Sequence, residues 1–310
     1  MRAVTQRSFG GPDVLEVVET ELPQPGPAQV LVRVEAIGLN PVEAYIRAGH
    51  FPLLGPPPFT LGWDIAGVVE RVTHGVYRLA EGDRVFGMPA FPGPAAGYAE
   101  YVAARSRHLA RVPDGLDAVS AAALPLAGLT AWQSLVDGAR VRPGQHVLVH
   151  AAGGGVGHLA VQIAKALGAR VTATASARKV AFVKGLGADT VIDYREGDLA
   201  DQVRDVDVVL DGVGGDTAER SLPVLRPGGI LVTIVRHSDP ALRAAVEASG
   251  RRFVGVGVEA DSAGLDALAD LVRDGKLRVH VQETFPLARI ADAHRALEAG
   301  HLTGKLVVTP

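Results

Sequence analysis

Val147-Leu148-Val149-His150-Ala151-Ala152-Gly153-Gly154-Gly155-Val156-Gly157 is the stretch on which the fold of this chain turns. Its apolar start reads as a buried strand, predicted over His146–Ala151. An Ala- and Val-rich helix follows, running from Val156 to Leu167 and stopping at Gly168, a residue free to take the left-handed cap. Between them, Ala152-x-Gly154-x-x-Gly157 has the spacing of a dinucleotide fingerprint with Ala in its first slot. The first position allows a tight turn, Gly154 lets backbone approach a pyrophosphate, and Gly157 lets the helix pack closely on the strand. The helix start, with Gly155 and Val156, then offers unpaired amides to phosphate. The competing reading is a glycine turn that only links strand to helix. Five further strands downstream weigh against it.

Those strands are predicted at Arg170–Ala175, Thr190–Asp193, Val206–Asp211, Gly229–Ile234 and Arg252–Val258. Helical segments such as Arg178–Leu186 and Gly215–Leu225 separate them. Six apolar strands with helical crossovers imply an α/β fold, a parallel sheet covered by helices on both faces. Upstream the pattern differs. The first 120 or so residues are short strands, among them Gln29–Ala36 and Asp64–Val72, punctuated by Pro25-Gly26-Pro27, Glu81-Gly82-Asp83 and Pro92-Gly93-Pro94. Such a run suggests a partly open β-barrel. The pattern shifts near Ser120–Pro125, and the last 35 or so residues return to strand–helix–strand.

Composition narrows the function. At 310 residues the chain has room for two domains, and 47% hydrophobic against 21% charged residues argues against disorder. The balance of 31 Lys and Arg against 34 Asp and Glu gives no basic excess for nucleic acid. No apolar run reaches the roughly 20 residues of a membrane span, and the N-terminus lacks a signal-like apolar segment, so a cytoplasmic protein is expected. Cysteine is absent, which removes disulfides, thiol nucleophiles and thiolate metal sites. His146 and His150, four apart on a strand, lie about 13 Å from one another and cannot share an ion. They read as solvated or strand-end histidines, and no metal is expected.

The second strand's carboxyl end selects the dinucleotide. An NAD site usually has an acid there, about 20 residues past the glycines. From His158 through Ala188 this chain has none, but it has five cations. Ser176, Arg178 and Lys179 directly follow the strand, a hydroxyl and two cations suited to a 2′-phosphate, so NADPH is the expected cofactor. The alternative is that Arg178 and Lys179 are solvated residues of a helix's first turn.

Together with Gly38–Gly49, Leu61–Val69, Glu81–Phe86, Gly97–Tyr101, Gly128–Ala131, Leu186–Asp189 and Gly304-Lys305, this turn makes the chain resemble the medium-chain dehydrogenase/reductase superfamily, in its zinc-independent quinone oxidoreductase branch. The resemblance implies a GroES-like β-barrel domain of residues 1–121 and 276–310, with a Rossmann domain of residues 122–275 inserted. It places Asn40 and Tyr45 in a substrate pocket, where they become the candidate catalytic donors. It makes Asp64 a buried structural acid and puts Thr130 near the nicotinamide ribose. Ser176, Lys179 and Tyr194 match 2′-phosphate and adenine contacts. Gly212 and Val213, Val235 and Arg236 match loops beside the ribose and nicotinamide, and Val256 and Lys305 join the cofactor set. Zinc-dependent relatives have Cys near the Asn40 position and His in the segment around Trp63, and neither is present here. Glu43 stands where Asp is frequent, and Phe51 where Tyr is common.

The implied activity is hydride transfer from NADPH to a quinone, with Tyr45 or Asn40 donating to the developing oxyanion. Tyr45 reads equally as a barrel aromatic whose hydroxyl meets solvent. Reduction of an activated C=C bond, in an enone, alkenal or enoyl thioester, is the alternative enzyme. A non-catalytic NADPH-binding protein, structural or RNA-associated, is the alternative of another class. The apolar strand at Arg252–Val258 is expected at a sheet edge, where pairing with a second copy would give a homodimer.

Overall fold

The structure is a computed structural model describing all 310 residues. The chain forms two compact units. One comprises Met1–Leu129, Glu259–Asp274 and Val279–Pro310, the other Thr130–Val258 and Gly275–Arg278.

The first unit begins with an antiparallel ribbon of β1 (Arg2–Gln6) and β2 (Leu15–Glu19). β3 (Gln29–Gly38) is followed by β4 (Asp64–Val72), β5 (Arg84–Gly87), β6 (Tyr101–Arg105) and β7 (Leu109–Arg111). The second unit carries β8 (His146–Val149), β9 (Arg170–Ala175), β10 (Thr190–Asp193), β11 (Val206–Asp211), β12 (Leu225–Thr233) and β13 (Arg252–Gly255). β14 (Val281–Pro286) and β15 (Lys305–Thr309) then return to the first unit. Its seven-stranded sheet runs β14-β15-β3-β4-β5-β7, with β6 also paired to β3. β3 is the hub, antiparallel to β15, β4 and β6. The β3–β4 approach is close enough that a Cβ on Gly67 would sit 2.0 Å from the Arg33 carbonyl oxygen.

In the second unit all six strands are parallel, in the order β10-β9-β8-β11-β12-β13. Every residue of β8 is buried, which is why these strands read as continuous apolar runs rather than alternating ones. Leu148, Val209, Leu231, Leu242, Val246 and Phe253 belong to one core cluster. The strand order reverses between β8 and β11. In open sheets of this kind the ligand crevice lies at the carboxyl ends of the strands flanking that reversal.

Boundaries differ from expectation where side chains or close contacts interrupt an element. The helix predicted over Gly215–Leu225 is a single turn, Thr217–Arg220, followed by a 3₁₀ turn at Leu222–Val224. Pro223 has no amide to continue the ladder, and the Ser221 hydroxyl donates back to the Thr217 carbonyl at 2.6 Å. β13 ends at Gly255 rather than Val258. There the His237 backbone comes so close that a Cβ would lie 1.8 Å from its carbonyl oxygen. No helix is long and apolar enough to cross a membrane.

Candidate dinucleotide and substrate sites

The glycine turn follows β8 directly and is entered through Ala151, which holds φ at 49°. Ala152 is fully buried, its amide bonded to the Thr174 carbonyl of β9 at 3.0 Å. At Gly157 a Cβ would lie 2.3 Å from the Ala151 carbonyl oxygen, so only glycine lets helix Gly157–Ala166 start this close to the strand. At Gly154 the nearest atom to such a Cβ is 3.2 Å away, so packing alone does not demand glycine there. Internal hydrogen bonds engage the amides of Gly154 and His158, while those of Gly155, Val156 and Gly157 make none. Three free amides at a helix start form a phosphate cradle.

Beside this cradle the carboxyl end of β9 presents Ser176, Arg178 and Lys179. Ser176 is nearly buried, and Arg178 is exposed. The Lys179 stem lies on the turn, its Cδ 2.6 Å from where a Cβ on Gly153 would be. Burial, reinforced by neighbouring Arg178, lowers the Lys179 pKa. A cavity of about 330 Å³ opens at the ends of β8 to β11, with Tyr194, Thr174 and Val213 in its wall. Tyr194, Val213 and Val235 are 55%, 52% and 51% exposed, unusual for large apolar side chains and suited to a flat ligand. The loops after β11 and β12 touch, since a Cβ on Gly214 would sit 2.9 Å from the Val235 side chain. Thr130 is buried on helix Pro125–Trp132, and the Val256 amide bonds to the Thr233 carbonyl.

Sequence reasoning overlooked Asp211, which shapes this region. Fully buried at the end of β11, it accepts from the amides of Val213 and Gly214 at 2.9 and 3.1 Å and from the Thr233 hydroxyl at 3.1 Å. Asp before Gly-Val-Gly-Gly is an Asx-turn signature, so a local signal for it exists.

In the first unit, helix Pro41–Arg47 carries Tyr45, whose ring is 59% exposed. Asn40, its N-cap, is 1% exposed. The Asn40 side-chain Nδ2 donates to Asp64 at 2.9 Å, and its Oδ1 accepts from the Lys305 ammonium. Asp64 also accepts from the Leu126 amide at 2.8 Å. Asn40 is therefore a bridge inside a buried polar cluster, and Tyr45 is the candidate donor open to a ligand. Glu43 reaches back to accept from the Asn40 backbone N–H at 2.8 Å and from the Tyr98 hydroxyl at 2.7 Å. Tyr98 in turn contacts His294 Nε2 at 2.9 Å, and His294 Nδ1 faces the Arg47 guanidinium at 2.8 Å. Arginine can only donate, so Nδ1 is the acceptor and Nε2 carries the hydrogen. Burial pushes Glu43 up to about 7 and His294 down to about 3.

Several expected roles change. Lys305, expected at the cofactor, is 4% exposed and donates to the Leu39 carbonyl at 2.6 Å and to Asn40, with Asp64 at 3.6 Å. Its ammonium is enclosed among acceptors of its own unit. Arg236, expected beside the ribose, binds Glu219 and Asp239 at 2.6 and 2.7 Å and the Gly215 carbonyl at 2.8 Å. It braces the two loops instead. His146 and His150 are not solvated. Each is 6% exposed, bonded to Thr172 and to Thr174 and Ser221 respectively. Strand burial on both faces accounts for this, and desolvation lowers His150 to about 4. Zinc finds no donor set here. The chain has no cysteine, and no three His, Asp or Glu side chains converge on one point.

Comparison with known proteins agrees with this geometry. A family profile described as "Alcohol dehydrogenase GroES-like domain" matches residues 26–114, and one described as "Zinc-binding dehydrogenase" matches residues 186–308. The chain is 38% identical over its whole length to an NADPH-dependent alkenal/one oxidoreductase, chloroplastic, of Arabidopsis thaliana, covering 80% of that protein. It superposes on the quinone oxidoreductase from Coxiella burnetii with a TM-score of 0.94 at 37% identity, covering 100% of this chain and 99% of that one. The Escherichia coli quinone oxidoreductase complexed with NADPH is similar at a TM-score of 0.89 and 31% identity, with both chains fully covered.

The two glycines separate packing from binding. Gly157→Ala should cost about 1–3 kcal/mol in urea denaturation, because backbone must move. Gly154→Ala should change stability by less than about 1 kcal/mol yet weaken dinucleotide binding at least tenfold, read by fluorescence titration. Glu43 makes a pH prediction. Its folded pKa near 7 exceeds the ordinary 4.5, so the native state holds a proton that the unfolded chain releases. The stability from this group is present below 4.5 and lost as pH rises through 7. Wild type should therefore lose urea resistance relative to Glu43→Gln between pH 5 and pH 8. A difference that does not change with pH would refute the assignment.

Proposed function

The chain belongs to the medium-chain dehydrogenase/reductase superfamily, in its quinone oxidoreductase branch, and from that premise we propose that it reduces quinones by hydride transfer from NADPH without a metal ion. The observation that carries this reading is the glycine cradle with an acid-free β9 end. Three free amides meet the pyrophosphate, and Ser176 and Lys179, with Arg178 beside them, meet the 2′-phosphate. Bound NADPH supplies the hydride. Tyr194 supports the adenosine half, while Val213 and Val235 present apolar surface to the rings. Gly212 and Val256 border that surface, and Thr130 serves the nicotinamide ribose.

In the first unit Tyr45 is the donor to the developing oxyanion. A quinone accepts the hydride readily, so one phenol with water as proton source is sufficient chemistry. Asn40, Asp64 and Lys305 hold the start of the Tyr45 helix and do not touch the acceptor. The same reading assigns the protein to the cytoplasm and makes it a homodimer joined through β13. This strand is the sheet edge, with Val254 only partly buried.

Oxidation of NADPH against quinones, enones and enoyl thioesters tests the activity, and quinones should give the highest kcat/KM. A faster enone would overturn the substrate assignment. NADPH should bind more tightly than NADH, and Lys179→Ala should erase most of the difference, a loss of about 1–3 kcal/mol. Tyr45→Phe should lower quinone turnover about tenfold, near 1.4 kcal/mol, with NADPH affinity unchanged. Wild-type turnover would make Tyr45 a packing residue. Light scattering should give about twice the chain mass of 32.2 kDa at micromolar concentration, whereas a single-chain mass contradicts the β13 interface.

A further inference from the structure

The cavity at the ends of β8 to β11 contains one cation that the cofactor reading leaves without a role. Arg220 ends the short helix after β11 and lines this cavity. Its guanidinium makes no hydrogen bond or ion pair with the rest of the chain. The contrast with Arg236 on the next loop, held by two carboxylates, is direct. No Asp or Glu lines the cavity, so nothing in its wall neutralises Arg220. An uncommitted guanidinium beside an exposed aromatic and aliphatic wall is suited to a flat, electron-rich partner.

Its position is built. His150, at the start of the glycine turn, joins Thr174 at 3.0 Å and Ser221 at 2.9 Å. Since the Ser221 hydroxyl donates to the Thr217 carbonyl, it accepts from His150 Nε2, and His150 Nδ1 accepts from Thr174. This buried, neutral histidine fastens the residue next to Arg220 to the strands that frame the cavity. Tyr194 follows β10 and Arg220 follows β11. Tyr194 directly follows its strand, whereas Arg220 is carried by the helix Thr217–Arg220, whose end Ser221 ties to His150 beyond β8. Both side chains line the one cavity of about 330 Å³, which has room for an aromatic ring.

We infer that Arg220 is a cofactor-binding residue that stacks on the adenine ring in the cavity it lines with Tyr194, and that it contributes to affinity for the adenosine half without reading the 2′-phosphate. The inference rests on the NADPH reading of the cavity. It sets a division of labour. Ser176, Arg178 and Lys179 distinguish NADPH from NADH, whereas Arg220 strengthens both alike.

Binding of 2′,5′-ADP by calorimetry, and of NADPH and NADH by fluorescence, tests this with Arg220→Ala and Arg220→Lys. Arg220→Ala should weaken all three ligands about five- to tenfold. Arg220→Lys should behave like Arg220→Ala, because an ammonium has charge but no plane to stack. KM for reduced nicotinamide mononucleotide, which lacks adenine, should not change. A loss confined to NADPH and 2′,5′-ADP and rescued by Lys would make Arg220 a phosphate ligand and overturn the inference. So would unchanged binding in both variants, or an equal loss with the mononucleotide. Should Arg220→Ala fail to fold, Arg220→Lys alone still decides, since retained affinity contradicts stacking. If wild type binds neither NADPH nor 2′,5′-ADP, the cofactor reading itself fails, an outcome distinct from these.

Discussion

The contact between Gly157 and the Ala151 carbonyl is the constraint on which the second unit depends. A helix can begin against the end of a buried strand only if no side chain stands between them, and here even one methyl group would overlap the carbonyl. That closeness turns the chain within a few residues and aims three unbonded amides out of the sheet end. The reversal of strand order beside β8 leaves the space above them open. Everything else at this end serves that geometry. Asp211 shapes the adjoining loop, Arg236 braces it against Asp239 and Glu219, and His150 fastens it to β9.

The first unit uses a different device. Two acids, a lysine, an arginine and a histidine are buried around helix Pro41–Arg47. Burying charge is costly unless partners compensate, and each group here meets one. Asn40 bridges Asp64 and Lys305, while Tyr98 and His294 carry a directional hydrogen-bond chain from Arg47 to Glu43. One Glu43 oxygen is left without a partner, consistent with an acid that keeps its proton to near neutrality. The consequence for function is a fixed helix with an exposed phenol. The polar residues that resemble a catalytic set are mostly the frame that holds Tyr45.

Periodicity and turn chemistry predict the parallel strands well because both are local. β9, β10 and β11 match residue for residue. The helix after β11 is shorter than its composition suggests because Pro223 and the Ser221 back-bond act within an otherwise helical run. β13 stops short of its apolar pattern because its end is set by the approach of His237, a residue of another loop.

By itself the sequence determined the fold class, the glycine cradle and the absence of an acid at the β9 end. These depend on residue types at short, fixed spacings. Tertiary structure alone decided which polar groups are free. Lys305 and Arg236 are as cationic in sequence as Arg220, and Asn40 is as polar as Tyr45. Partners from 3 to 266 positions away hold Arg236, Asn40 and Lys305, most of them brought by the fold, and the same folding leaves the Arg220 guanidinium and the Tyr45 ring exposed. A side chain's availability is set by what the fold packs against it, and spacing along the chain does not encode that.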